Sequence, residues 1–139
     1  MILIFSDYHK NEKAVLDLIE KYKPQYILCC GDGESDDSFY LDNNIISVKG
    51  NCDYANLPAI KLLEIGDMKI VMTHGHYYNV YFDTFKLYLL AKEHQRNYVL
   101  YGHTHEQIID EYEGITFINP GALKDGHYAI INGDEIILK

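Results

Sequence analysis

The sequence predicts an α/β protein in which two mixed sheets pack face to face, with helices on their outer surfaces. The first part of the chain alternates short apolar runs with an amphipathic segment, an order typical of parallel strands joined by a helix. The second part contains pairs of apolar runs joined by turns that contain glycine, which is typical of antiparallel hairpins. The chain has 139 residues and no repeat or linker, so we expect a single domain over residues 1–139.

The first half of the chain predicts a βαβ unit followed by a third strand. MILIFS is an apolar run of strand length, and YILCC is a second one. Between them, apolar residues recur at helical spacing from Asn11 to Tyr22, and Pro24 ends the segment. The run NIISVKG predicts the third strand of a parallel arrangement.

The second half predicts three hairpins with a helix and a strand between them. The first hairpin turns at Gly66-Asp67, the second near Gly114 and the third at Asn132-Gly133. Asp83 is a candidate cap for a helix from about Thr84 to His94. YVLYG then predicts a buried strand.

Composition limits the possible functions. The net charge of −9 disfavours a stable nucleic-acid complex, although bound cations would reverse the field locally. No apolar run approaches the roughly 18 residues of a membrane span, and the N-terminus lacks the features of a signal peptide, so we expect a cytoplasmic protein without membrane contact. The three cysteines form no CxxC pair, which argues against a zinc knuckle or a disulfide framework.

Metal-capable side chains follow five of the predicted strands, where sites assemble in α/β sheets. The residues are Asp7, His9, Asp32, Asn51, His74, His76, His103 and His105. A single aspartate after a strand is usually a turn residue, and a single histidine is usually structural. The pairs in DYH and HTH are more specific, because residues i and i+2 of an extended chain point the same way. A buried polar cluster needs a compensating charge, which divalent cations would supply.

The ordered motifs SDYH, GD, GNCD, THGH and GHTH, with INPGA near the C-terminus, resemble the calcineurin-like metallophosphoesterases. The resemblance is strongest to the short, cap-free YfcE-type phosphodiesterases. It implies a four-layer α/β/β/α sandwich and two divalent metal ions. The implied ligands are Asp7, His9 and His105 for one metal, Asn51, His74 and His103 for the other, and Asp32 as the bridge. Such carboxylate, imidazole and amide donors suit Mn²⁺, the ion we expect, as well as Ni²⁺, Co²⁺, Fe²⁺ and Zn²⁺.

The resemblance also implies a reaction, in which a metal-bridging hydroxide attacks a small phosphodiester, for which a nucleotide-like compound is one candidate. We expect Asn51, Asp53 and His76 to be the catalytic residues beside the metals. Two other functions remain open: a phosphomonoesterase or protein phosphatase on the same site, and a non-catalytic scaffold like the retromer subunit of this fold. The oligomeric state is open as well, including a homo-oligomer.

Cys52 helps to rank these functions. In the serine/threonine protein phosphatases of this superfamily, a histidine that protonates the leaving group follows the ligand asparagine. Cys52 occupies that place here, and a thiol with an acidic neighbourhood is a poorer acid. The sequence therefore favours a diesterase. It gives Cys52 no role as nucleophile or disulfide partner, and the position of Asn51 argues against Cys52 as a ligand.

Other side chains near the motifs have two interpretations each. Tyr8 and Lys10 lie beside the first predicted ligands, and Lys10 is either a substrate contact or a solvated lysine. A cluster of tyrosines (Tyr77, Tyr78, Tyr81 and Tyr88) is either ordinary packing or a stacking wall for a nucleobase. The acidic stretch ESDD, residues 34–37, predicts a solvated loop rather than further ligands.

Overall fold

Ten strands and three helices make up the computed structural model, which describes residues 1–139. The elements are β1 (Ile2–Phe5), α1 (Glu12–Tyr22), β2 (Tyr26–Cys29), α2 (Asp37–Asp42), β3 (Ile45–Ser47), β4 (Ile60–Ile65), β5 (Met68–Thr73), α3 (Phe85–Glu93), β6 (Tyr98–Leu100), β7 (Gln107–Tyr112), β8 (Ile115–Pro120), β9 (Ala129–Asn132) and β10 (Glu135–Leu138). A 3₁₀ turn, Leu123–Asp125, precedes β9.

The strands form two mixed five-stranded sheets, as predicted. The first sheet has the order β10-β9-β1-β2-β3, in which β1, β2 and β3 are parallel. The second has the order β4-β5-β6-β8-β7, in which β5, β6 and β8 are parallel and the two edge strands antiparallel. In each sheet the three parallel strands are neighbours, so their carboxyl ends meet at the same end of the sheet.

Alternation along the strands builds the layers. Leu3 and Phe5 of β1 pack with Val15 of α1, while Ile4 faces inward and packs with Met72 of the second sheet. A third apolar cluster lies between the second sheet and α3. Burying each large apolar side chain contributes roughly 1.5–3 kcal/mol, so these three clusters hold the sheets and helices in the order α/β/β/α.

Helix boundaries follow local chemistry. The side chain of Asn11 accepts a hydrogen bond from the Ala14 N–H at 3.2 Å and caps α1, and Lys23 ends that helix in a left-handed conformation. Asp83 accepts the Phe85 N–H at 3.0 Å, close to the start predicted for α3. The last hairpin turns one residue later than predicted, at Gly133 and Asp134, because Asn132 still pairs with Glu135.

The structure corrects one part of the interpretation of the acidic stretch as a solvated loop, because Asp36 and Asp37 are exposed as predicted but lie at the start of a helix. Asp36 and Asp37 begin the short helix α2, and they accept hydrogen bonds from the Tyr54 hydroxyl and the Asn56 N–H. A six-residue helix has too few turns to show a period in the sequence. None of the helices is long and apolar enough to cross a membrane.

Candidate metal centre

The predicted ligands lie on loops that leave the carboxyl ends of parallel strands in both sheets. Five of these residues have left-handed backbone conformations: Asp7 (φ 55°), His9 (φ 40°), Asp32 (φ 58°), His103 (φ 70°) and His105 (φ 65°). Such conformations cost of order 1–3 kcal/mol each and cluster at functional sites. The DYH and HTH pairs therefore converge through tight turns, and the extended geometry predicted for them is wrong.

The first group of candidate ligands contains Asp7, His9 and His105. Their potential ligand atoms all lie within 4.8 Å of one another. Asp7 Oδ1 is 3.1 Å from His105 Nε2 and 3.7 Å from His9 Nε2. His9 Nδ1 donates to the Glu34 carboxylate at 3.0 Å, which leaves Nε2 directed at Asp7. This arrangement orients the His9 ring as a carboxylate orients many metal-bound histidines.

The second group contains Asp32, His74 and His103, again with all potential ligand atoms within 4.8 Å. His74 Nε2 is 3.1 Å from Asp32 Oδ2 and 3.2 Å from His103 Nδ1. The Cys30 carbonyl accepts from His74 Nδ1 at 2.7 Å, so the other ring nitrogen is free to face the cluster. His74 Nε2 also lies 3.9 Å from Asp7 Oδ1, so the two groups adjoin.

The charges in this centre fit bound cations. Asp7 and Asp32 are 0% and 3% exposed, and their only ion-pair partners are histidines. Two buried carboxylates without a lysine or arginine have only imidazoles to offset their negative charge. The pKa of Asp32 falls to about 2, because hydrogen bonding and charge from His74 outweigh the burial that would raise it. Burial lowers the pKa of His103, so it is available as a neutral donor.

Asn51 and His76 lie beside the two groups. Both line a cavity of about 290 Å³ that also contains Lys49 and Tyr77. The Asn51 side chain is exposed and its amide nitrogen lies 3.6 Å from Cys52 Sγ. Burial lowers the pKa of His76, and its Nδ1 has no hydrogen-bond partner. Both side chains thus border the cavity beside the centre, and the assignment of Asn51 as a metal ligand stays a prediction.

The Asp53 carboxylate holds two of these loops together. It accepts backbone N–H groups from Asp32 at 2.8 Å, Glu34 at 2.8 Å and Gly50 at 2.7 Å. Both carboxylate oxygens are therefore occupied. This geometry gives Asp53 a positioning role, and its assignment among the catalytic residues stays a prediction.

Glycine is required where these loops pass close to the candidate ligands. A Cβ at position 50 would contact the Asp32 carboxylate and lie 2.6 Å from the Asp32 backbone nitrogen. At Gly31, with φ +104°, a Cβ would lie 2.7 Å from His74 Nδ1. The glycines of the GD and GN motifs thus allow the close approach of the two loops.

The sequence prediction missed Glu34. The acidic stretch predicts a solvated Glu34, whereas the Glu34 carboxylate is half-buried against His9. Its position two residues after Asp32 is the one feature of the sequence that points to it. An acidic run, however, gives no reason to choose Glu34 over its acidic neighbours. The prediction that Glu34 is merely solvated is therefore wrong.

Tyr8 and Lys10 occupy opposite environments. Tyr8 is fully buried, and its hydroxyl lies 2.6 Å from Ser35 Oγ in the loop after Asp32. It therefore supports that loop from the core and does not reach a substrate. Lys10 is exposed in the loop after His9, and its contact with a substrate stays open.

Cys52 lies closer to the centre than the sequence argument allowed. Its Sγ is within 4.8 Å of potential ligand atoms of His9 and Asp32, and the thiol is exposed. Its backbone N–H donates to Asp32 Oδ1 at 2.8 Å. The position of Asn51 therefore does not exclude Cys52 from the coordination sphere of a bound ion.

Comparisons with known proteins find relatives over most of the chain. A family model described as the calcineurin-like phosphoesterase superfamily domain matches residues 1–132. The probable metallophosphoesterase MJ0623 of Methanocaldococcus jannaschii is 38% identical over 88% of this chain and 67% of its own length. The phosphodiesterase MJ0936 of the same organism is 29% identical over 85% of this chain and 81% of its own length.

Solved structures share the fold. A predicted phosphoesterase from Streptococcus pneumoniae superposes with a TM-score of 0.83 and 32% identity, over 92% of this chain and 79% of that one. Vacuolar protein sorting 29 from Cryptosporidium parvum superposes with a TM-score of 0.78 over 99% of this chain and 94% of that one. At 18% identity, the second likeness shows the fold alone.

Replacing Glu34 with alanine should weaken cation binding by about 10- to 100-fold, because His9 loses the carboxylate that orients its ring. Calorimetric titration of metal-free protein with Mn²⁺ measures this. Glu34→Gln keeps an acceptor oxygen and should recover most of the affinity. Glu106→Ala removes an exposed acidic residue beside His105 and serves as the control. Equal affinities for Glu34→Ala and Glu106→Ala would contradict the role given to Glu34.

Only Cys52 should react with iodoacetamide in the native protein. Cys29 and Cys30 are fully buried, and burial raises the pKa of Cys29 to about 12. Because Cys52 Sγ adjoins His9 and Asp32, added Mn²⁺ should slow its labelling. Mass spectrometry of the intact protein counts the labels, with Cys52→Ser as the unlabelled control. An unchanged labelling rate in protein shown to bind Mn²⁺ would contradict the placement of the Cys52 thiol beside the metal centre.

Proposed function

Because the chain belongs to the calcineurin-like phosphoesterase superfamily, we propose that it is a dinuclear metal-dependent phosphodiesterase acting on a small phosphodiester. The observation that carries the proposal is the pair of buried carboxylates, Asp7 and Asp32, which face four imidazoles and no lysine or arginine. Divalent cations bind to oxygen and imidazole nitrogen donors arranged in this way.

In this proposal two sets of side chains each hold one cation, and the second set includes Asn51. Asp7, His9 and His105 hold the first, and Asn51, His74 and His103 hold the second, with Asp32 between them. We expect Mn²⁺, with Ni²⁺, Co²⁺, Fe²⁺ and Zn²⁺ as alternatives, because the donors are oxygen and imidazole nitrogen. Bound cations of this kind neutralise phosphate charge and lower the pKa of water.

Two further residues support substrate binding, His76 by lining the cavity and Asp53 by positioning the loops. His76 lines the cavity that Asn51 shares, where its ring can contact a bound phosphodiester. Asp53 keeps the loops of Asp32 and Asn51 at a constant separation through its three hydrogen bonds.

The net charge of −9 disfavours long polyanions, which supports a small substrate. We expect the reaction to take place in the cytoplasm.

The alternatives are weaker on specific grounds. A phosphomonoesterase benefits from a strong acid beside the leaving oxygen, and the thiol of Cys52 replaces it here. Partial burial and the charges of Asp32 and Glu34 raise the pKa of Cys52, which weakens it further as an acid. A non-catalytic scaffold has no need of a complete ligand set, and all seven predicted ligands are present in this chain.

Purified protein should hydrolyse bis-p-nitrophenyl phosphate in the presence of Mn²⁺ or Ni²⁺. A chelator should abolish the reaction and renewed metal should restore it, because the buried carboxylates and imidazoles would have lost their cations. Release of p-nitrophenol, measured alongside metal content, tests this. Asp32→Asn should bind less metal and lose activity. Metal-loaded protein that hydrolyses neither diesters nor monoesters across the metal panel would refute the enzymatic proposal.

Cys52→His should raise the rate on p-nitrophenyl phosphate relative to that on the diester, because imidazole protonates a leaving group better than this thiol does. The ratio of kcat/KM for the two substrates is the measurement. Cys52→Ala should retain metal and serves as the control for removal of the thiol. A ratio that stays the same in Cys52→His would remove the main reason for ranking the diesterase first.

A further inference from the structure

We propose that the substrate carries a planar aromatic ring system, such as a nucleobase, on the ester group next to the scissile phosphate. The residues that bind this ring are Tyr77 and Tyr81. The inference rests on the proposed phosphodiesterase function and adds the class of ester that the site prefers.

Exposed aromatic side chains concentrate in the segment that follows His76. Tyr77 is 73% exposed, Tyr81 is 72% exposed and Phe82 is 81% exposed, all between β5 and α3. Aromatic rings are usually buried in whole or in large part, because each removes a large apolar area from water. Several exposed rings together, next to a polar centre, mark a surface that binds something apolar.

Tyr77 forms one wall of the cavity beside the metal centre. Its ring centroid is 4.0 Å from that of His76, with an interplanar angle of 41°. The cavity of about 290 Å³ is at the small end of ligand pockets, so it has room for one ring system and excludes a long chain. Lys49, the only cationic side chain of this cavity, is placed to offset the charge of a phosphate.

Tyr81 approaches the centre from further along the segment that carries Tyr77. Its ring centroid lies 4.9 Å from that of His103, and its hydroxyl donates to the His103 carbonyl at 3.3 Å. His103 and His76 are 6.1 Å apart, so the four rings form a continuous row, Tyr77–His76–His103–Tyr81. The hydrogen bond ties the ring of Tyr81 to the loop that carries two predicted ligands.

The other tyrosines considered with this cluster have different surroundings. Tyr78 is half-buried and packs with the core cluster under α3. Tyr88 donates to the Glu113 carboxylate at 2.6 Å and contacts the ring of Tyr112. Tyr78 and Tyr88 thus make their contacts away from the centre, whereas the exposed rings of Tyr77 and Tyr81 contact the imidazoles of His76 and His103. The acidic surface also favours recognition through a neutral ring, since additional phosphates would be repelled.

Two substrates with the same leaving group test the inference. Thymidine 5′-p-nitrophenyl phosphate and methyl p-nitrophenyl phosphate both release p-nitrophenolate. They differ only in the second ester group, which stays on the phosphate of the product. Stacking of one base on an aromatic side chain predicts a kcat/KM that is about 5- to 140-fold higher for the thymidine ester. Tyr77→Leu and Tyr81→Leu should each reduce this ratio, while Tyr77→Phe, which keeps the ring, should preserve it.

Tyr112→Leu is the matched control, because Tyr112 is an exposed tyrosine (55%) on the edge strand β7. It should leave the ratio unchanged. Hydrolysis of both esters at similar kcat/KM, with no response of the ratio to Tyr77→Leu or Tyr81→Leu, would overturn the inference and leave the phosphodiesterase proposal standing. An equal loss of kcat/KM on both esters in Tyr77→Leu would also overturn it, since the tyrosine ring would then support the metal centre without binding the ring of the substrate. Hydrolysis of neither ester by the unchanged, metal-loaded protein would instead count against the proposed function.

Discussion

The buried carboxylate of Asp7 joins the two sheets and sets the chemistry of the centre. It follows β1 of the first sheet, and its Oδ2 accepts the backbone N–H of His103, which follows β6 of the second sheet, at 3.2 Å. Its Oδ1 contacts His105, and its backbone carbonyl accepts the Lys124 N–H at 3.2 Å. A fully buried negative charge at the junction of the sheets explains why histidines surround it and why a cation completes the arrangement.

The backbone around this carboxylate is held by polar contacts and close packing. Asp53 binds the loops after β2 and β3 through three backbone N–H groups, and Gly50 lets those loops meet. Tyr8 turns away from the centre and supports the Asp32 loop through Ser35. Such support maintains the left-handed conformations of Asp7 and Asp32, because the surrounding bonds offset their cost. A rigid donor set of this kind loses little order when it binds a cation.

The two sides of the centre serve different purposes in our interpretation. Glu34 and the Cys30 carbonyl orient imidazoles from behind, at 3.0 Å and 2.7 Å. Asn51, His76 and Tyr77 line the open side, where a substrate would enter. Cys52 lies between these sides, near His9 and Asp32, in a place where a stronger acid would favour monoesters. Ligand orientation and substrate choice thus depend on separate residues.

Patterns in the sequence were enough to predict the fold class and most strand and helix positions, and its ordered motifs, through the family resemblance, supplied the candidate ligands. Strand alternation and helical period are local properties, and the ordered His and Asp motifs are visible without coordinates. Tertiary structure decided the direction of Tyr8, the contact of Glu34 with His9 and the triple hydrogen bond of Asp53. These depend on left-handed turns and on loops from different strands coming together, which no local pattern encodes. The short helix α2 escaped prediction for the same reason, since it is stabilised by contacts with residues 54 and 56 rather than by its own period.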